Sequence, residues 1–494
     1  MTAPVFATVD VFPHEGLYIF ERNPPATVAG VINNTVGIAG TTVKGPVNTP
    51  TVVTSEARFR EVFGGRDTIA GGPLTSEVFK ALLNKQFGRL IIVRATAAAI
   101  TTAERDFVDG VPTPIVNIAA NSPGTHGNAI TATIAAASDG DSAKFNLTVK
   151  DGREREQVFE NLNVDGTNDN LLKVIGDDAG NLVVVTKLSS GRPIDIADQL
   201  LADTVAVDGT IADTDFTATD GPIDTLASFS NIGIAFVAGR SNSVIRTALG
   251  TKAAASSDRV FLVTSDNDGV SQAAAITDVA AGTRSDRLIY CFNYAKTLDP
   301  ETATLISTEP HAWMASILGQ TDPDVHPGVI DNATFLSGIK SLKVESNLDI
   351  DGFRAAGICT IEFDLVFTFV SGITTSVVAG KLEITRRRMV DFLQQGIANF
   401  LKSTTKQPNT PSRRIAAKGT VSAFLRDLFS QERFVDSTPD GKPAFEVDTE
   451  KLNSVASRNA GTEKMLVRVK LIPFKLFVVL ETEMGFTVSV TEIS

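Results

Sequence analysis

Residues 34–65 read NTVGIAGTTVKGPVNTPTVVTSEARFREVFGG. An apolar run over Thr35 to Ala39, a Gly45-Pro46 turn and a short run over Thr51 to Val53 predict two strands, and a helical pattern follows at once. Thr54 or Ser55 supplies the cap, Phe59, Val62 and Phe63 recur on one face, and Gly64-Gly65 stops the helix. Strands joined to helices at this spacing predict an α/β layer.

The same texture extends outward. A second helix is expected from near Thr75 to Phe87, with Val78, Phe79, Leu82, Leu83 and Phe87 on one stripe. RLIIVRA (89–95) then reads as a strand buried on both faces, as in a helix-covered sheet. NIGIAFVAG (231–239), RVFLVTS (259–265) and RLIYCFN (287–293) repeat it, with helices expected around 244–255 and 271–281. One α/β body built from about 30–100 and 230–370 follows.

Between those halves the composition changes. From Thr101 to Ser230 there are 21 Asp/Glu against 8 Lys/Arg, a net charge of −13. Short alternating runs such as AITATIAAAS (129–138), KFNLTVKDGREREQVFENL (144–162) and GNLVVVTKL (180–188) are separated by turn pairs like Asp151-Gly152. They predict an acidic β-rich domain inserted into the body between two attachment points that lie close together.

The last third is basic, with 18 Lys/Arg against 13 Asp/Glu from Lys381 onward. RRRMVDFLQQGIANFLKST (386–404) places Met389, Leu393, Ile397 and Phe400 at helical spacing. GTVSAFLRDLFSQER (419–433) does so with Val421, Phe424, Leu425, Leu428 and Phe429, capped by Thr420 or Ser422. Arg386, Arg387 and Arg388 open a helix, where positive charge opposes the dipole, which points either to a carboxylate partner nearby or to a solvated face. AFEVD (444–448) and KMLVRVKLIPFKLFVVLET (464–482) close the chain as an antiparallel β element. In the last run, MGFTVSVTEIS (484–494), Phe486, Val488 and Val490 alternate with Thr and Ser. PVFATVDVF (4–12) mirrors it at the start with Val5, Ala7, Val9 and Val11. Such apolar terminal strands need a receiving sheet edge.

Signatures of chemistry are missing. At 494 residues the chain is long enough for two to four domains. No apolar run reaches membrane-spanning length and the start lacks a signal-peptide pattern, so a cytoplasmic chain is expected. Gly40 and Gly45 have the spacing of a phosphate-binding loop, but Pro46 stands where its lysine belongs; a turn with Gly45 at positive φ is expected instead. His14, His126, His311 and His326 have no metal-ligand spacing, and Cys291 and Cys359 read as buried small residues. Trp313, the only tryptophan, reads as core. No nucleophile elbow or Cys-His pair is present, and no cofactor or metal is expected.

In order, HEGLYIFERN (14–23), VGIAGTTVKGPVNTPTVVTS (36–55), FREVFGG (59–65), LIIVRA (90–95), NSPGTHGNAI (121–130), HAWMASILGQTD (311–322), GVIDNATFLSGIKSL (328–342) and RRRMVDFLQQGIANF (386–400) resemble the successive signatures of the contractile phage tail sheath family. The most specific are G-x-x-x-x-G-P-x-x-x-P from Gly40 to Pro50 and the Arg-rich helix. The chain departs at His126, where the family commonly carries an aromatic residue.

The resemblance implies a non-enzymatic structural subunit with an α/β multidomain fold. An N-terminal arm (1–22) would precede the α/β sheath domain (23–105 and 226–375), interrupted by the outer domain (106–225). A C-terminal core domain (376–480) facing the tail tube and a strand arm (481–494) would complete it. Subunits would polymerise helically around the tube, donating the arms carrying Val5, Ala7, Val9, Val11, Phe486, Val488 and Val490 to neighbours. Arg386, Arg387, Arg388, Lys402, Arg413 and Arg414 would be candidates for contact with an acidic tube. Implied partners are further copies, the tail tube protein, and baseplate and tail terminator proteins, without direct nucleic-acid contact or membrane insertion. The place would be a virion tail assembled in the host cytoplasm, or a related injection machine. The alternatives are a cytoplasmic α/β enzyme with an unrecognised site and another phage surface structural protein.

Overall fold

A computed structural model describes residues 34–64 and 90–472, except 153–154, 168–169, 177, 179, 231, 299–302, 405, 456–457 and 459–462. The helix expected near 75–87 and both terminal arms lie outside the described residues. The chain divides into two compact units, Val31–Gln395 and Met1–Gly30 with Gly396–Ser494.

The larger unit begins with β1 (Val36–Gly40), β2 (Thr51–Val53), α1 (Glu56–Phe63) and β3 (Leu90–Arg94). Ser55 caps α1 through its side chain, and Gly64 (φ 85°) ends it. Seven strands of the insert follow: β4 (Glu104–Val108), β5 (Pro114–Ala120), β6 (Thr131–Ala136), β7 (Phe145–Lys150), β8 (Glu156–Leu162), β9 (Val183–Lys187) and β10 (Ile196–Leu200), with the short α2 (Leu171–Ile175) between β8 and β9. The chain returns through α3 (Asp213–Thr217), α4 (Pro222–Ser228), β11 (Ile234–Val237), α5 (Ser243–Ala255), β12 (Val260–Thr264), α6 (Gln272–Ala281) and β13 (Leu288–Phe292). A three-stranded sheet of β14 (Ala295–Leu298), β15 (Leu305–Thr308) and β16 (Ile339–Leu342) brackets α7 (Pro310–Gln320); α8 (Ile350–Ala356), β17 (Ile358–Phe363), β18 (Phe367–Phe369) and the start of α9 (Ile384–Thr404) complete the unit.

The central sheet has the order β18-β17-β13-β12-β11-β1-β3-β2. Its six inner strands are parallel and the two edge strands antiparallel. Both faces are buried, which explains the continuous apolar runs. Val36, Ile38, Ile92 and Phe236 share one core with α1 and Trp313 and Met314 of α7. Ala39, Ile91, Val93 and Val237 share the other with Phe216, Leu226, Ile245, Val279 and Phe353 from the covering helices. Cys291 and Cys359, opposite each other on β13 and β17, are both free and buried.

The insert packs a four-stranded sheet, β10-β6-β7-β8, on a three-stranded one, β4-β5-β9. Its core runs from Ala103 to Ala206. Ile211, Phe216, Ile223 and Leu226 belong to the body core, so the acidic stretch from 211 to 226 packs on the body. Its carboxylates serve local ends and ties there: Asp215 accepts the Ala212 N–H, and Asp213 pairs with Arg240.

The second unit holds the rest of α9, α10 (Pro411–Ser430) and the antiparallel pair β19 (Phe445–Asp448) and β20 (Leu466–Val469). α10 starts ten residues before Val421. Thr410 caps it, accepting from the Arg413 N–H, and Pro411 sits in its first turn. The cap expected at Thr420 or Ser422 is therefore mid-helix.

Candidate functional site

The three consecutive arginines at the start of α9 separate by helical geometry. Arg387 reaches Asp286 at 3.2 Å and Asp391, one turn on, at 2.7 Å. Asp391 is also held by both Nη atoms of Arg287, at 2.8 and 2.7 Å, and Arg287 donates further to the Ser257 and Arg259 carbonyls. This bidentate pair is almost wholly buried. Of the two readings of this run, Arg387 takes the carboxylate partner inside the fold.

Arg388 is buried. Its guanidinium donates to the carbonyls of Leu318 (2.7 Å), Thr321 (2.7 Å) and Asp322 (3.3 Å), and to the side chain of Asn34 (3.0 Å). It thus caps the C-terminal end of α7, where orphan carbonyls collect. Burial lowers its pKa to about 10, against the attraction of Asp322 and Asp324, so it stays charged at neutral pH. Arg414 is likewise internal, bonded to the Asn409 side chain at 2.9 Å and 3.8 Å from Glu450. Arg387, Arg388 and Arg414 thus bond within the chain. Arg386 keeps over a third of its side chain exposed, 3.9 Å from Glu383, and Lys402 and Arg413 are exposed.

The parallel sheet reverses its winding between β1 and β11, where α/β enzymes bind ligands beyond the strand ends. Beyond the end of β11, side chains from the start of α7 are tied in. The Glu309 carboxylate, at the start of α7, accepts the Gly239 N–H at 2.8 Å and the Ser241 hydroxyl at 3.2 Å. The buried His311 ring lies 3.1 Å from the Val237 carbonyl; burial lowers its pKa, so it is neutral. In the Gly40–Pro46 loop Gly45 has φ 112°, and a Cβ there would stand 2.6 Å from Phe63. The loop turns carbonyls inward: Arg94 donates to Gly45 O at 2.9 Å, Val43 O at 3.4 Å and Pro123 O at 3.0 Å. A phosphate cradle needs converging N–H groups, so this loop has the opposite polarity.

A cleft of about 570 Å³ lies between α1, the 43–46 loop and the insert, lined among others by Glu61, Ser122, His126 and Arg155. Ser122 Oγ is 3.3 Å from His126 Nε2 and accepts the Gly45 N–H. Burial, then repulsion from Arg94 and Lys44, lowers the His126 pKa to about 4, so the ring is neutral. The nearby Asp208 carboxylate is taken by the Thr125 N–H and hydroxyl at 2.8 and 2.5 Å. The Ser-His contact thus lacks the carboxylate orienter of a nucleophilic triad. Among the described residues no grouping of His, Cys, Asp and Glu is placed to hold a metal, and no helix is long and apolar enough to cross a membrane.

Sequence reasoning missed Asn34, Arg287, Asp391 and Glu309. Arg287 and Asp391 stand 104 positions apart, so no local pattern links them. Val5, Ala7, Val9, Val11, Phe486, Val488 and Val490 lie outside the described residues.

No family model matches the chain, and no curated protein matches it by sequence. Solved structures do. It aligns over 92% of its length with the whole of the sheath tail protein of Desulfitobacterium hafniense, at 14% identity and a TM-score of 0.58. The sheath tail protein of Listeria innocua aligns over 91% of this chain and 93% of its own, at 14% identity and 0.61. A chain of the anti-feeding prophage helical sheath in its contracted state aligns over 96% of this chain and all of its own, at 14% identity and 0.56. The chain has the fold of tail sheath proteins.

Proposed function

We propose that the chain is the structural subunit of a contractile tail sheath, in a virion tail or a related injection particle. The observation that carries this reading is fold likeness over 96% of the chain to a subunit of a contracted helical sheath. Each subunit donates its terminal strands, with Val5, Ala7, Val9 and Val11 on one arm and Phe486, Val488 and Val490 on the other, to sheets of neighbours. In the C-terminal unit, β19 and β20 form a two-stranded sheet among the described residues, and a pair that short is marginal without further strands. About five added ladder bonds at roughly 1 kcal/mol each give an arm about 5 kcal/mol, multiplied over many subunits.

Head-to-tail donation propagates an open helix. Tethered bodies then repack from an extended to a contracted arrangement without dissociating, and the stored energy lies in that bistable packing. Arg386, Lys402 and Arg413 contact an acidic tail tube, and baseplate and terminator proteins bound the sheath. Negative-stain microscopy of the purified protein, alone and with tube protein, tests the reading. Tubes or long rods are expected; small monodisperse oligomers at high concentration in both samples would overturn it.

A further inference from the structure

We infer that Arg388 and Asn34 form a tension clamp that ties the chain entering β1 to the helix leading to the C-terminal unit. Asn34 lies two residues before the central strand β1. Its side chain bonds in both directions: Oδ1 accepts from Arg388 Nη2 at 3.0 Å, and Nδ2 donates to the Thr321 carbonyl at 2.9 Å. The same Arg388 Nη2 donates to that carbonyl and to Leu318 O, both at 2.7 Å. Asn34, the end of α7 and the second turn of α9 therefore meet at one buried point.

The two elements that meet there are the ones a pulled chain would load. β1 lies between β11 and β3 in the sheet, and the Thr35 carbonyl just ahead of it accepts the Gly233 and Ile234 N–H groups at 3.0 and 3.2 Å. Tension entering at residue 34 along the strand shears this ladder as a set. α9 leaves the larger unit at residue 395, and its first three turns are anchored there through Arg387, Arg388, Asp391 and Gln395, the last donating to Asp258 O at 3.1 Å. Of these anchors Arg388 bonds the strand root. Force entering at residue 34 then passes through this guanidinium to α9, the helix that leads into the C-terminal unit. A lysine there keeps the charge and loses the planar fork that reaches Asn34, Leu318, Thr321 and Asp322 at once. The inference rests on the sheath reading, since only an assembled polymer pulls on both arms.

The test compares wild type, Asn34→Ala, Arg388→Lys and a remote core variant, Ile245→Val, chosen to bracket any thermal loss. Each full chain is assembled, and tube lengths are measured by negative stain before and after a fixed shear dose. Both clamp variants are expected to form tubes of normal length that shear leaves at least threefold shorter than wild type, while Ile245→Val tubes resist like wild type. Equal shortening of the core variant, or none in the clamp variants, overturns the inference. So do clamp variants that fold without forming tubes, or that both fail to fold, since the contact would then serve assembly or folding. Absence of tubes from wild type is a separate outcome: it overturns the sheath reading, and with it the inference.

Discussion

His126 and Glu309 show how single residues of this chain hold charge in balance. A His whose folded pKa is about 4, against an ordinary 6.5, refuses a proton that the unfolded chain accepts. The stability it contributes is complete above about pH 6.5 and is lost as pH falls towards 4, on the order of 3 kcal/mol in all. His126→Gln removes that term. The stability difference between wild type and variant, from urea unfolding at several pH values, is expected to fall by a few kcal/mol between pH 7 and pH 4; a constant difference would contradict the burial argument. Glu309→Ala leaves the Gly239 N–H and the Ser241 hydroxyl without their acceptor, which costs about 1–3 kcal/mol where water cannot replace it. Calorimetry at neutral pH reads that loss. Neither role was legible in sequence, because Glu309 meets Gly239 across 70 positions and the burial of His126 depends on how the insert sits against α1. The positive φ of Gly45 was legible, since a glycine before proline states its own local geometry.

At the scale of elements, what could be read ahead is what periodicity carries. β1, β3, β11, β12 and β13 were visible as apolar runs because both faces of the sheet are buried, and α1 because Ser55 and Gly64 bracket it. The first half of α10 was not visible. Ile415 is 70% exposed and Ala416, Lys418 and Gly419 are exposed too, so no apolar stripe marks those turns. Their start is set by Thr410, and Thr410→Ala is expected to cost about 1 kcal/mol and to lower helical circular dichroism slightly. The anchoring of α9 is a larger matter. Asp391→Ala strands the buried Arg287 and deprives Arg387 of a partner, which costs about 3–5 kcal/mol. Arg386→Ala, at an exposed neighbour 3.9 Å from its carboxylate, is expected to cost less than about 1 kcal/mol. Thermal melts of the two variants side by side separate an internal tie from a surface charge on the same helix turn.

For the molecule as a whole, the runs at 4–12 and 484–494 alternate as strands do, and among the described residues β19 and β20 form a sheet of two strands. A chain built to remain single would protect such edges with charge or proline; one built to polymerise offers them. Removing Phe486 to Ser494 separates these cases. If the last strand is donated to a neighbour, the truncated chain loses nothing its own body needs. Its circular dichroism and melting temperature are then expected to match the full chain measured as a monomer at low concentration. Under assembly conditions it is expected to stay monomeric by light scattering and to give no tubes by negative stain. Truncated chains that still polymerise would place the assembly contact elsewhere, and truncated chains that unfold would make the strand part of its own subunit's fold. Adding the missing nine residues in trans as a peptide sharpens the distinction: a donated strand competes for its acceptor sheet, so excess peptide is expected to shorten tubes of the full-length chain. Tethering makes the covalent arm locally concentrated, so the peptide is needed at millimolar levels to compete.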